Sequence, residues 1–206
     1  MRPGRSVSSQ RLVPRLLLIT VAVALPRAQQ PGAVAPDMFA RASESRLDSL
    51  YGPLIHLMRA DERGRYGRLG VEAKRSYLRQ FWRRRDPTPE TPGNEAMVNF
   101  YGRVATANRI FREGGAAEIP GWRTDRGRIY LRYGAPDTVL SRPQPSSTNP
   151  YEVWRYERRR KLKFVFSDLT RFGNYSLIWT DDRSEISRPD WRLLLGPEAV
   201  ADVVRF

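Results

Sequence analysis

The chain has 206 residues, no cysteine and one histidine, and its 36 basic residues outnumber its 22 acidic residues to give a net charge of +14. The lack of cysteine excludes disulfides and thiol nucleophiles, and together with the single histidine it excludes an ordinary zinc site. Only Lys74, Lys161 and Lys163 are lysines. Such a preference for arginine is typical of codon bias in a GC-rich genome rather than of selection for a polyanionic partner.

The N-terminus is predicted to be a secretory signal peptide covering residues 1–28. Arginines precede an apolar run at 16–25, and small residues then lead to Ala28. The run is about half of the roughly 20 residues that a membrane-spanning helix needs, which favours a cleaved signal over an uncleaved anchor. We expect cleavage after Ala28, with Ala24 as the alternative site. The product is then exported, periplasmic or secreted, and without a cysteine it is not a lipoprotein.

The remainder divides into a disordered leader at 29–36, a domain at 37–180 and a C-terminal extension at 181–206. The extension is expected to pack back on the domain and to contain a short helix from Pro197. A mature chain of this length suits one domain. No transmembrane span is expected after signal removal.

The first half of the domain is predicted to be helical. Apolar residues recur at helical spacing in three segments, 37–58, 71–82 and 92–113. Gly52 and Pro53 should interrupt the first segment. The third has the most regular stripe, with Thr91 as its predicted N-cap and Gly114 at its end.

After Gly121 the period of the pattern changes. Ile129, Leu131 and Tyr133 alternate with three more polar residues, Arg128, Tyr130 and Arg132, which predicts a first strand at 128–133. Three further strands are predicted at 151–156, 162–167 and 175–180, joined by short connections typical of antiparallel neighbours. Helices followed by a small antiparallel meander of about four strands define an α+β fold, with the helices packed on one face of the sheet.

The pentapeptide at residues 121–125 reads GWRTD, and blocks on either side accompany it. They read FWRRRDPTP at 81–89, FYGRVA at 100–105 and RGRIYLRYGAPD at 126–137. With these blocks the chain resembles the GWxTD domain family of exported bacterial proteins across roughly 45–180. The family has no established activity, so the resemblance implies a class and a compartment rather than a mechanism.

A second, shorter likeness involves GAPD at 134–137 and WRY at 154–156. These segments are similar to a small helix-helix-sheet lipoprotein of the outer-membrane barrel-assembly machine. The likeness implies a protein-binding module, at the level of fold analogy alone.

Two interpretations of the pentapeptide remain open. In the favoured one, Thr124 and Asp125 accept backbone hydrogen bonds at a turn into a strand, and Trp122 packs over the third helix. In the other, Trp122 stacks on a ligand in a surface groove and Asp125 accepts a hydrogen bond from it. The candidate ligand-binding residues are Trp122, Thr124, Asp125, Arg128, Tyr130, Tyr133, Asp137 and Trp154.

No catalytic residue, metal ligand or cofactor is predicted, and we expect the single histidine, His56, to be packed or half-exposed. The favoured function is a non-enzymatic binding or assembly module whose partner is another envelope protein. That hypothesis predicts an exposed apolar or aromatic patch near Tyr130, Trp154 or Tyr156.

Two alternatives accompany it. A secreted hydrolase acting on glycan or peptide would need two facing carboxylates, and predicts Asp125, Asp137 or Asp168 in one pocket with a raised pKa. Binding of anionic envelope polymers predicts arginines clustered on one face. Nucleic acid is not an expected partner, because the protein is expected to be exported.

Overall fold

Helices fill the first half of the chain and an antiparallel meander follows. The computed structural model describes residues 37–115, 117–145, 147–158 and 161–206, so the predicted signal peptide and leader lie outside the described residues. The helices are α1 (Glu44–Tyr51), α2 (Val71–Arg83), α3 (Glu95–Ile110), α4 (Asp125–Tyr133), α5 (Trp191–Leu195) and α6 (Pro197–Arg205). The strands are β1 (Thr138–Arg142), β2 (Tyr151–Tyr156), β3 (Leu162–Ser167) and β4 (Ser176–Thr180). Within the described ranges, no helix is long and apolar enough to cross a membrane.

The sheet has the order β1-β2-β3-β4, and every neighbouring pair is antiparallel. The predicted α+β fold, with helices before a four-stranded meander, is therefore confirmed. Short 3-10 turns connect the N-terminal helices at Gly52–His56, Ala60–Glu62 and Tyr66–Arg68, and a fourth, Gly121–Arg123, precedes α4.

The predicted strand at 128–133 is wrong, because these residues form α4. Ile129 and Leu131 are both fully buried, but they belong to two different core clusters. A helix that is buried on two sides has no single apolar stripe, and its sequence can imitate the alternation of a strand. The first strand of the sheet is instead β1, which follows α4 after a short turn.

The limits of α3 also differ from the prediction. Its N-cap is Asn94, whose side-chain oxygen accepts from Met97 N at 2.8 Å. Thr91 instead donates its hydroxyl to Thr88 O at 3.0 Å, which closes the proline-rich loop. The helix ends at Ile110 rather than near Gly114, because the chain turns there and Glu113 pairs with Ile119.

The two faces of the sheet are covered by different helices. Trp154 and Phe164 lie on the face that packs against α3 and α4, as predicted for the N-terminal helices. Val153 and Val165 lie on the opposite face, where α5 and α6 contribute Trp191, Leu195, Ala199 and Val203. Burial of both faces accounts for the consecutive apolar residues at 153–154 in β2 and 164–166 in β3.

A separate core cluster fills the N-terminal helical region. Leu47, Leu78 and Phe81 are completely buried there, and the rings of Tyr51 and Tyr66 stack with centroids 3.7 Å apart. Leu131 of α4 joins this cluster. The turn that leads into α4 therefore connects the helical region to the sheet region.

Candidate functional site

Two glycines, Gly121 in the GWRTD segment and Gly127 just after it, allow three stretches of backbone to meet. A Cβ on Gly121 would lie 1.8 Å from the carbonyl oxygen of Ala107 in α3. A Cβ on Gly127 would lie 1.7 Å from the carbonyl oxygen of Gly121. Both distances are far below van der Waals contact, so a side chain at either position would force the turn away from α3 or α4.

Thr124 and Asp125 fix the start of α4. Thr124 is the N-cap, and its hydroxyl accepts from Gly127 N at 3.0 Å and donates to Gly121 O at 2.9 Å. The carboxylate of Asp125 accepts from Leu177 N in β4 at 2.8 Å and from the Arg128 guanidinium at 3.0 Å. Asp125 therefore ties the helix to the sheet, and its negative charge is favoured at a helix N-terminus.

Trp122 connects the turn to the helical region. Its backbone N–H donates to the side chain of Asn108 at 3.1 Å, and its carbonyl oxygen accepts from His56 Nε2 at 3.0 Å. Its ring packs closely on Gly52, where a Cβ would lie 3.1 Å from the indole. Burial lowers the pKa of His56, and the hydrogen bond to Trp122 opposes that shift.

The indole of Trp122 is half-buried and lines a cavity of about 670 Å³, which we call the Trp122 groove. Leu50, Tyr101 and Val104 are among its other lining residues, and two arginines, Arg46 and Arg123, also line it. Asp125 does not line this groove, since its carboxylate is bonded to β4. The structure thus does not bring Trp122 and Asp125 together around one ligand.

The polar face of α4 holds the segment after β4. Arg128 and Arg132 both contact the carboxylate of Glu185, and the hydroxyl of Tyr133 donates to Asp182. Tyr130 packs its ring against Phe111 with centroids 5.5 Å apart. Arg128, Tyr130 and Tyr133 therefore all make contacts within the fold.

Trp154 belongs to a buried polar network that the sequence did not reveal. Its indole N–H donates to Glu152 at 2.9 Å, and Arg126 donates to Glu152 at 3.2 Å and to Glu113 at 2.9 Å. The Arg126 guanidinium also stacks on Tyr175, 3.9 Å from the ring centroid. Burial raises the pKa of Glu113, although the bond from Arg126 opposes the shift.

Asp137 lines a second cavity, of about 580 Å³, which we call the Arg103 cavity. It lies at the end of α4, and Tyr133 lines it as well. The Asp137 carboxylate accepts from Glu157 N at 2.7 Å and from Arg158 N at 3.2 Å, and these bonds lower its pKa. Arg103 was not a predicted site residue; its cavity is formed by residues from separate elements, which no local spacing indicates.

Two expectations about the site are wrong. Trp154 and Tyr156 do not form an exposed aromatic patch, because they are 2% and 6% exposed and belong to the core. The three carboxylates of the hydrolase hypothesis are not gathered in one pocket. Asp168 accepts bonds in the β3–β4 turn, where burial would raise its pKa but hydrogen bonds from Gly173 and Thr170 lower it.

Among the residues that the structure describes, no group of three or more histidine or acidic side chains could hold a metal ion. No curated protein and no solved structure matches the chain. The sequence model of the GWxTD domain matches residues 27–189, which is most of the chain. The GWRTD turn and the helices and strands that it joins all lie inside this range, and the chain therefore belongs to the GWxTD domain family.

Proposed function

We propose that the protein is a non-enzymatic binding module of the bacterial envelope, which holds an acidic and apolar segment of a partner protein in the Trp122 groove. The observation that carries the proposal is a half-buried tryptophan in a large groove that two arginines also line. Tryptophan and arginine are, together with tyrosine, enriched among the residues that dominate binding energies at protein interfaces.

The groove offers mainly packing surface to a ligand. Leu50, Val104 and Trp122 line it, and Trp122 is fixed by bonds to Asn108 and His56. The hydroxyl of Tyr101, also a lining residue, donates to Leu50 O at 3.2 Å. A rigid apolar surface loses little entropy on binding, which favours a side chain of the partner inserted beside Trp122.

The charge of the groove selects the partner. Among the described residues neither Arg46 nor Arg123 has a carboxylate within ion-pair distance. The residues outside the described ranges include no aspartate or glutamate. Asp48 also lines the groove, but Lys74 donates to it at 2.7 Å and offsets its charge. The remaining positive charge favours acidic residues flanking the inserted apolar one.

Export of the protein is part of the proposal. It rests on the basic and then apolar N-terminus, and on membership in a family that the sequence resemblance associates with exported bacterial proteins. The partner is accordingly expected in the same compartment, as another envelope protein.

The proposal can be tested with a library of random short peptides displayed on phage. Ala105 is exposed on α3 and lines the groove, so Ala105→Tyr should fill the groove with a neutral ring. Ala73→Tyr is the matched control, because Ala73 is exposed on α2 and does not line the groove. We expect the wild type and Ala73→Tyr to enrich peptides that combine an aromatic residue with acidic ones, and Ala105→Tyr to lose them.

Charge reversal tests the role of the two arginines. In a variant with both Arg46→Glu and Arg123→Glu the acidic preference should be lost, whereas Arg63→Glu at an exposed position outside the groove should leave it unchanged. Enrichment that is insensitive to Ala105→Tyr would contradict the groove as the binding site. If the charge-reversal variant lost peptide enrichment while Ala105→Tyr kept it, the binding of an anionic polymer by surface arginines would replace the proposal.

A further inference from the structure

The Arg103 cavity has a different chemistry from the Trp122 groove. It is formed where α3, the end of α4, the turn before β1, and the ends of β2 and β3 meet. Its walls include Tyr133, Tyr156 and Leu162, and three arginines reach it. At about 580 Å³ it lies in the size range of small-molecule sites.

Two of the three arginines are already neutralised. Arg132 contacts the carboxylate of Glu185, and Arg158 lies 3.1 Å from Asp137. Asp137 in turn uses its carboxylate oxygens for two backbone N–H groups and Arg158. The acid that lines the cavity is therefore committed to other partners.

Arg103 differs from the other two arginines. Its guanidinium donates to the carbonyl oxygen of Leu131 at 3.3 Å and packs beside Gly134. Within the described ranges no carboxylate lies within ion-pair distance of it, and the residues outside those ranges contain no acid. A guanidinium has five N–H donors, so this half-buried cation has donors to spare toward the cavity.

We propose that the Arg103 cavity binds a small carboxylate with an apolar or aromatic body, and that the carboxylate is held by the guanidinium of Arg103. The planar fork of an arginine matches the two oxygens of a carboxylate in paired hydrogen bonds.

The aromatic walls determine the body of the ligand. The hydroxyl of Tyr133 is bonded to Asp182, and that of Tyr156 donates to Gly134 O at 2.9 Å. Their rings are thereby held in place as apolar surface, and Leu162 adds an aliphatic wall. A flat apolar group can pack against preformed walls while its carboxylate bonds to Arg103.

Arg103 also caps α4, because the Leu131 carbonyl lies in the last turn of that helix. A purely structural arginine would give the same contacts without binding a ligand. The test must therefore measure binding as well as stability. The site shares no lining residue with the Trp122 groove, so failure of one proposal leaves the other intact.

The direct experiment is calorimetric titration of the full-length protein with benzoate, acetate and inorganic phosphate. Benzoate should bind more tightly than either of the other two. Arg103→Gln should weaken benzoate binding by on the order of tenfold or more, the loss expected for hydrogen bonds to a charged group. Arg109→Gln should have no effect, because Arg109 is exposed on the same helix and does not line the cavity.

A second variant keeps Arg103 and its capping bond. Ala135 is exposed and lines the cavity, so Ala135→Glu should place a carboxylate at its mouth and repel the ligand, while Ala73→Glu on α2 is the matched control. We expect benzoate binding to be lost only in Ala135→Glu, with thermal stability unchanged. Absence of benzoate binding to the wild type would overturn the proposal. So would equal benzoate binding by Ala135→Glu and Ala73→Glu. Tighter binding of phosphate than of benzoate would overturn the assigned ligand class.

Discussion

The charged cluster around Lys74 in the helical region, built from α1, α2 and the start of α3, and the charged cluster around Arg126 in the sheet region differ in their access to water. In the helical region Lys74 is buried, but the side chains of its partners Glu44 and Asp48 are 55% and 49% exposed. In the sheet region the side chains of Arg126 and Glu113 are 10% and 6% exposed. Water can replace the cation for the acidic partners of Lys74 but not for Glu113. Equivalent substitutions of Lys74 and Arg126 should therefore cost different amounts.

The largest effect is expected at the junction between the two regions. Gly121→Ala places a Cβ 1.8 Å from the backbone of Ala107, so α3 and the turn must separate and the two core clusters that meet at α4 loosen. We expect a loss of at least about 4 kcal/mol in the free energy of unfolding, measured by urea denaturation with tryptophan fluorescence.

Gly102→Ala is the control for that substitution. Gly102 is exposed inside α3, and a Cβ there meets no atom within 4 Å. Alanine has the higher helix propensity, so this variant should be more stable by about 0.5 to 1 kcal/mol. Similar results from the two variants would show that close backbone contact at Gly121 does not hold the regions together.

The next effect compares the charged groups directly. Arg126→Met leaves Glu113 and Glu152 buried without their cation, which should cost about 3 kcal/mol or somewhat more. Lys74→Met leaves two half-exposed carboxylates that water can solvate, and its cost should be clearly smaller. Both losses in the free energy of unfolding are measured by urea denaturation at neutral pH, and equal losses would contradict the contrast between the two clusters.

A smaller effect is expected from the helix cap at the junction. Thr124→Ala removes the hydroxyl that accepts from Gly127 N and donates to Gly121 O, which should cost about 1 to 2 kcal/mol. Thr124→Ser keeps the hydroxyl and should cost much less. If serine were no better than alanine, the contribution of Thr124 would come from its methyl group and not from the cap.

The elements that could be predicted are those whose pattern is local: β2 and β3 lie at the predicted 151–156 and 162–167, between turn residues that bound each apolar run. The stripe from Val71 to Trp82 is apolar on one side, and α2 begins and ends almost where that stripe does. In α4, Ile129 faces one core cluster and Leu131 the other, so its period was misread as that of a strand. β1 has mostly exposed side chains and gives no alternation to detect.

The contacts of the site follow the same rule. The cap formed by Thr124 is local, since its partners lie within three residues, and threonine before an acidic first turn is a readable signal. The partners of Arg126 are 13 and 26 residues away, and nothing in the charge pattern connects them. Arg103 reaches its cavity only because α3 crosses the end of α4. Long-range pairs of this kind need the fold before they can be assigned.

The smallest effect concerns pH at the contact between His56 and the junction. Burial lowers the pKa of His56; the hydrogen bond to Trp122 O opposes the shift, and the guanidinium groups of Arg128 and Arg132 add to it. Glu185, which faces the same group, acts in the opposite direction. Protonation is therefore less favourable in the folded protein than in the unfolded chain, where the pKa is 6.5.

The sign of the pH dependence follows from that difference. The unfolded chain binds the proton first as the pH falls, so the contribution of His56 to stability is complete above pH 6.5 and is lost as the pH falls through the lower folded value.

His56→Gln keeps an N–H donor for Trp122 O but does not titrate. The free energy of unfolding of the wild type minus that of the variant should therefore decrease as the pH is lowered from neutral. Carboxylates shared by both proteins largely cancel in this difference, because the two chains differ at one residue. A difference that stays constant or increases on acidification would mean that His56 is not held in a desolvated contact between the helical region and the GWRTD turn.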